Sequence, residues 1–298
     1  MATILTFLGW TLVVILGLAG LFVLACIPHN LRIRRVRRAY RAVPKEITDR
    51  ALRLIEEAAR DGPSVTFLRL DEELQCDPRD ALLESHVGGV PYAEAGDTWP
   101  ASTPEGEPPK FLLQVHLDEP SLGAVWQGRL LTFFLIFDYE QIVRSYATPS
   151  LDRYVPLGPP EPPEPAIPCV RLTHVRMPVE STGDRVPPSP LRLCQTIPAI
   201  PPLLSRYSSD HGGLLTQILR PNVYSYNLEH WQVAYLGGDP TLIQNPHDPK
   251  CDECGKPMRF LFVFGDVIPG LQLADAGVCC VYGCDEHPHC CKGFIDSH

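Results

Sequence analysis

Residues 86–100 read His-Val-Gly-Gly-Val-Pro-Tyr-Ala-Glu-Ala-Gly-Asp-Thr-Trp-Pro, and 149 positions later residues 235–244 read Tyr-Leu-Gly-Gly-Asp-Pro-Thr-Leu-Ile-Gln. The two stretches open an ungapped internal repeat. Gly88, Gly89 and Pro91 meet Gly237, Gly238 and Pro240, and Pro100, Gly106 and Pro108 meet Pro249, Gly255 and Pro257. Phe111 and Leu112 then meet Phe260 and Leu261, and Pro120, Leu122 and Gly128 meet Pro269, Leu271 and Gly277. That is 11 identities over residues 86–137, where composition alone gives about three or four. Most are Gly and Pro, which set turns rather than cores. What recurs is therefore a backbone path: a Gly-Gly-x-Pro turn, a loop, a strand, a second turn and a second strand. The expected fold is α+β, a β-rich duplicated unit with pseudo-two-fold symmetry.

The surrounding chain fits that frame. Apolar runs at 111–117, 129–137, 260–264 and 278–284 read as strands, as does the short stretch 65–70. Residues 45–60 place Ile47, Ala51, Leu54, Ile55 and Ala58 on one helical stripe, ended by Gly62-Pro63. A short helix is predicted from near Asp210 to before Pro221. Residues 156–202 hold 14 of the 32 Pro and read as an extended connection. The body is thus expected over 44–298, with repeat halves at about 65–150 and 205–298.

Ahead of the body, residues 3–27 carry no ionisable group except Cys26. About 20 apolar residues suffice to cross a bilayer. Arg32, Arg34, Arg35, Arg37, Arg38 and Arg41 follow, with no acidic residue in the first 43. This predicts a single transmembrane helix and basic neck over 1–43, oriented by its arginines. The implied topology is a single pass through a membrane, N-terminus out and body cytoplasmic. A cleaved signal peptide fits less well, since the basic n-region is missing.

The whole chain has 26 Lys+Arg and 35 Asp+Glu, a net charge of -9. Setting aside the six arginines of the neck leaves 20 basic and 35 acidic groups in the body, or -15. That excess disfavours nucleic acid, whose binding needs cations facing phosphates. It suits a basic protein or peptide partner instead.

Eleven Cys is a high count. Cys251-Asp-Glu-Cys254-Gly255 has the form of a metal knuckle, and Cys284-Asp-Glu-His287 follows 30 residues after Cys254. A C-x2-C pair followed by C-x2-H suits a tetrahedral zinc ion held from two turns. Cys290 is the substitute fourth ligand if His287 does not serve. Under the repeat offset these positions are Ser102, Glu105, Leu135 and Asp138 in the first half. The expected zinc is therefore a local structural staple. A reactive dithiol at Cys251 and Cys254 is the competing reading.

No phosphate-binding glycine loop, G-x-S-x-G elbow or H-E-x-x-H motif is present, so no catalytic residue is assigned. The segments 86–100, 110–119, 128–138, 235–244, 251–266 and 275–288 together resemble the YwqG-like family of bacterial proteins. That resemblance covers roughly 65–298. It implies an α+β domain built by duplication and implies no reaction. The expected role is a binding module tethered to the cytosolic face of a bacterial inner membrane, with Gly88, Gly89, Pro91, Gly237, Gly238 and Pro240 as turns beside a groove. The alternative is a zinc-dependent or thiol hydrolase working through Cys284, His287 or His289.

Overall fold

A computed structural model of the chain describes residues 31–62, 64–75, 77–101, 109–135, 141–158, 167–178, 190–222, 234–240, 247–265 and 277–296. Its ten strands all join one antiparallel sheet. They are β1 (Ser64–Gln75), β2 (His86–Val87), β3 (Lys110–Leu117), β4 (Arg129–Leu135), β5 (Gln141–Tyr146), β6 (Val170–Pro178), β7 (Tyr235–Leu236), β8 (Arg259–Phe264), β9 (Val278–Gly283) and β10 (Cys291–Asp296). The order across the sheet is β10-β9-β8-β7-β1-β6-β2-β3-β4-β5.

That order is palindromic about the β1–β6 pair. β1 pairs with β7 on one side, and β6 pairs with β2 on the other. Each central strand is thus followed in the chain by the far arm of the sheet. The arms match in detail. The amides of Gly88 and Gly237 donate to Leu112 O and Leu261 O, each at 2.8 Å. Both arms shift register at the same place, between Phe111 and Leu113 and between Phe260 and Phe262.

The sheet curls until its two edge strands meet, making a nearly closed, barrel-like wall. A Cβ on Gly293 of β10 would lie 3.0 Å from Gln141 Oε1 of β5. Phe133 of β4 and Phe264 of β8 meet edge to face, with ring centroids 4.9 Å apart. Strand alternation then sorts side chains to two cores. Leu68, Leu113, Trp126, Phe133, Phe262 and Val281 fill the inside. Phe67, Met177, Val263, Cys280 and Tyr282 face outward under helices. The vicinal pair divides accordingly, Cys279 inside and Cys280 outside.

The helices cover that outer face. They are α1 (31–40), α2 (Lys45–Asp61), α3 (Pro190–Thr196), α4 (Ile200–Leu204) and α5 (His211–Asn222). Ala51, Ile55 and Ala59 form the buried stripe of α2. Leu214, Leu215, Ile218 and Leu219 do the same for α5.

These observations correct several expectations. The fold class is not an α+β unit behind a transmembrane helix but a β-rich barrel-like sheet with few helices. Local apolar runs marked individual strands, yet could not show that all would share one sheet. Among the described residues, no helix is long and apolar enough to cross a membrane. The longest, α2, has 17 residues and charged side chains along its exposed face, against the roughly 20 apolar residues a span needs. The apolar run 3–27 lies outside the described residues. No described helix supports attachment to a membrane or the single-pass inner-membrane location with a cytoplasmic body.

Candidate metal centre

Two loops build the site at one end of the β8–β9 pair. The first, residues 250–257, is closed at its base by an isolated bridge between Lys250 and Pro257. Within it Gly255 N–H donates to Cys251 O at 2.8 Å, and Cys251 N–H donates to Lys256 O at 2.9 Å. Gly255 takes φ 69°, a left-handed turn that glycine adopts without strain. The second loop follows β9. Cys284 N–H donates to Cys290 O at 3.1 Å, and Cys290 N–H donates to His287 O at 2.8 Å.

The turns bring Cys251, Cys254, Cys284 and His287 together, with all four ligand atoms within 4.8 Å of one another. Cys254 Sγ and Cys284 Sγ are 3.6 Å apart. His287 Nδ1 lies 3.8 Å from Cys251 Sγ and 3.9 Å from Cys284 Sγ. A tetrahedral zinc with bonds of about 2.3 Å to sulfur has edges of about 3.8 Å. The cluster could therefore hold a metal ion.

The surroundings suit thiolates. The backbone N–H of Cys254 holds the Cys251 thiol down to about 6, against burial that pushes it up, and Glu253 N–H and the neighbouring thiols add to the effect. His287 N–H also points at Cys284 Sγ, at 3.4 Å. Cys251 and Cys284 are buried at the rim of the outer core. Side chains then tie one loop to the other. Arg259 grips Asp285 with Nη2 at 2.7 Å and Nε at 3.0 Å. Lys256 pairs with Glu286. Trp126 Nε1 donates to Asp285 Oδ1 at 2.7 Å, from a turn in the opposite arm.

The sequence did not single out Glu253, although it lies inside the Cys-x-x-Cys turn. Its Oε2 is 3.5 Å from His287 Nε2, the nitrogen left over when Nδ1 faces the sulfurs. A carboxylate on the far nitrogen is the usual support of a metal-bound His. Its other oxygen accepts from His289 Nε2 at 2.5 Å and Cys290 Sγ at 3.2 Å. Cys290 thus stands beside the four-donor cluster and outside it, in a second group with Glu253 and His289.

The chain matches no protein-family model and no curated protein.

The Gly-Gly-x-Pro turns lie elsewhere. Gly88, Gly89, Gly237 and Gly238 all have φ between 60° and 76°. Gly88 is buried against the backbone of Ile167 and Pro168, and Gly237 against Ser121 and Glu119. Pro91 is buried and Pro240 half-buried. The missing side chain makes room for the backbone of 167–168 at Gly88 and for the Ser121 and Glu119 side chains at Gly237.

Proposed function

We propose that the chain is an interaction module whose second arm is stapled by one structural zinc ion, bound by Cys251, Cys254, Cys284 and His287. The observation that carries this reading is the set of ligand distances, three sulfurs and one nitrogen at tetrahedral spacing from two preformed turns. Three soft thiolates and an imidazole favour zinc over hard cations. Four protein donors fill the coordination sphere, which suits a structural ion better than a catalytic one. A hydrolase acting through Cys284, His287 or His289 would need an open position or a free thiolate in the same cluster, and a filled sphere offers neither. We also retain kinship with YwqG-like proteins as a proposal, which a member lacking the shared β1–β6 centre would end.

Metal analysis of the purified full chain tests the reading. About one zinc per chain is expected, and none in Cys251→Ser/Cys254→Ser. Iodoacetamide should label the cluster only after chelation. A wild-type chain without stoichiometric metal would overturn it.

A further inference from the structure

A second constellation sits in the other arm, where β2 begins. Ser85 immediately precedes β2, His174 lies on β6, and Asp118 directly follows β3. Ser85 Oγ and His174 Nε2 are 2.8 Å apart. His174 Nδ1 and Asp118 Oδ1 are 2.7 Å apart. The backbone N–H of His116 donates to Ser85 Oγ at 2.8 Å.

Hydrogen-bond logic assigns the protons. An ionised carboxylate only accepts, so Nδ1 of neutral His174 carries the hydrogen and gives it to Asp118. Nε2 is then the acceptor, and the Ser85 hydroxyl must donate to it. That tautomer is the one a serine nucleophile needs from its base. Burial is the largest single influence on the Asp118 carboxyl and pushes it up, but the bond from His174 and the nearby His174 and His116 rings together hold the group below the ordinary carboxylate range.

The opposite arm shows that the fold does not require these groups. Leu172 N–H donates to Ser85 O at 2.8 Å, and in the other arm Leu68 N–H donates to Ala234 O at 3.0 Å. Two residues beyond Leu172 stands His174; two beyond Leu68 stands Leu70. The same backbone junction is thus made with Ala and Leu in place of Ser and His. Both Ala234 and Leu70 are buried, and no polar pair is needed to hold the register there. Burying polar groups costs free energy unless every one is bonded. A fully bonded Ser–His–Asp chain at one of two equivalent junctions is a feature the sheet carries for something other than its own closure.

We propose that Ser85 is a nucleophile for acyl transfer, with His174 as its general base and Asp118 as the residue that positions His174. In the first step Ser85 Oγ bonds to the carbonyl carbon of an ester, and its proton moves to His174 Nε2. The carbon–oxygen bond to the leaving alcohol then breaks, and His174 returns the proton to that oxygen. Water repeats the sequence on the acyl-serine, releasing the acid and restoring Ser85. The side chains of Asp118 and His174 are 53 % and 17 % exposed, while Ser85 is 4 % exposed. Exposure therefore falls along the chain from Asp118 to Ser85, so only a small reagent is used to probe the serine. This goes beyond the zinc-stapled module and rests on a different arm of the sheet.

The test is covalent labelling of the full chain with a small alkyl fluorophosphonate, followed by peptide mapping and by the labelling rate. An adduct on Ser85 is expected, absent in Ser85→Ala. His174→Leu should slow labelling by about 10²-fold or more. Asp118→Asn should slow it by a similar factor while leaving the melting temperature unchanged. Ser85→Ala and His174→Leu install the residues the other arm already uses, so both should fold. A folded wild-type chain with no adduct on Ser85, or an adduct whose rate ignores His174→Leu, overturns the proposal. Zinc content measured on the same samples reports separately on the metal reading.

Discussion

The arm β2–β5 and the arm β7–β10 follow one backbone plan and carry different chemistry. Turn glycines, the register shift after Phe111 or Phe260, and the junction onto β6 or β1 recur in both. Among the described residues, the four-donor cluster lies at the end of the β8–β9 pair, and the first arm has Ser102, Glu105, Leu135 and Asp138 at these positions in sequence. Among the described residues, the Ser–His–Asp chain lies at the β2 junction, where the second arm has Ala234 and Leu70. The junction built with Ala234 and Leu70 thus shows that Ser85 and His174 are dispensable for that shared backbone, so this pair marks a place where the arms diverged in role.

The largest expected effect comes from the contact that joins the arms. Trp126 is fully buried, its ring fills the space that Gly283 leaves by lacking a Cβ, and its indole N–H caps Asp285. Trp126→Ala should cost about 3–5 kcal/mol and loosen the metal loops along with the barrel. Denaturant unfolding measures the first, and amide exchange at 284–290 the second. Unchanged exchange there would mean that the arms are held independently.

A smaller effect sharpens the junction comparison. Ala234→Ser places a hydroxyl among apolar neighbours with no His opposite, and should cost about 1–3 kcal/mol. The reverse change, Ser85→Ala with His174→Leu, removes the pair but leaves the His116 backbone N–H without its acceptor, and should cost about 1–2 kcal/mol, less than the sum of the two single changes. Strictly additive costs would show that the two side chains act independently.

The smallest is a pH effect confined to the first arm. His86 is buried between Gln114 and Arg171, where the second arm has Tyr235, and burial lowers its proton affinity despite the carbonyls of Glu84 and Val90. Below its ordinary value of 6.5 the unfolded chain takes a proton that the folded one resists. Stability should therefore fall as pH drops from about 7 towards 5, by at most about 1.4 kcal/mol per unit. The slope should shrink in His86→Gln. Working in Cys251→Ser/Cys254→Ser keeps acid release of metal out of the reading.

What could be read in the sequence were features written in a few adjacent residues. The glycines of the paired turns, the apolar cores of β3, β4, β8 and β9, and the C-x-x-C and C-x-x-H spacings are all of this kind. Partners distant in the chain left no such trace. β6 sits between two Pro-rich stretches, and nothing in Val170–Pro178 announces that it will pair with β1 at the centre of the sheet. Nor does any motif connect Ser85 to His174, 89 residues away, or His174 to Asp118, 56 residues away. Only sheet register brings them together. Glu253 was visible inside the knuckle, but its role depends on which way His287 turns.

The central claim is the ligand set of the second arm, and X-ray absorption at the zinc edge of the metal-loaded full chain tests it most directly. The account expects three sulfurs at about 2.3 Å and one nitrogen at about 2.0 Å. A first shell of four sulfurs would replace His287 by Cys290, and a shell dominated by oxygen would contradict the site altogether.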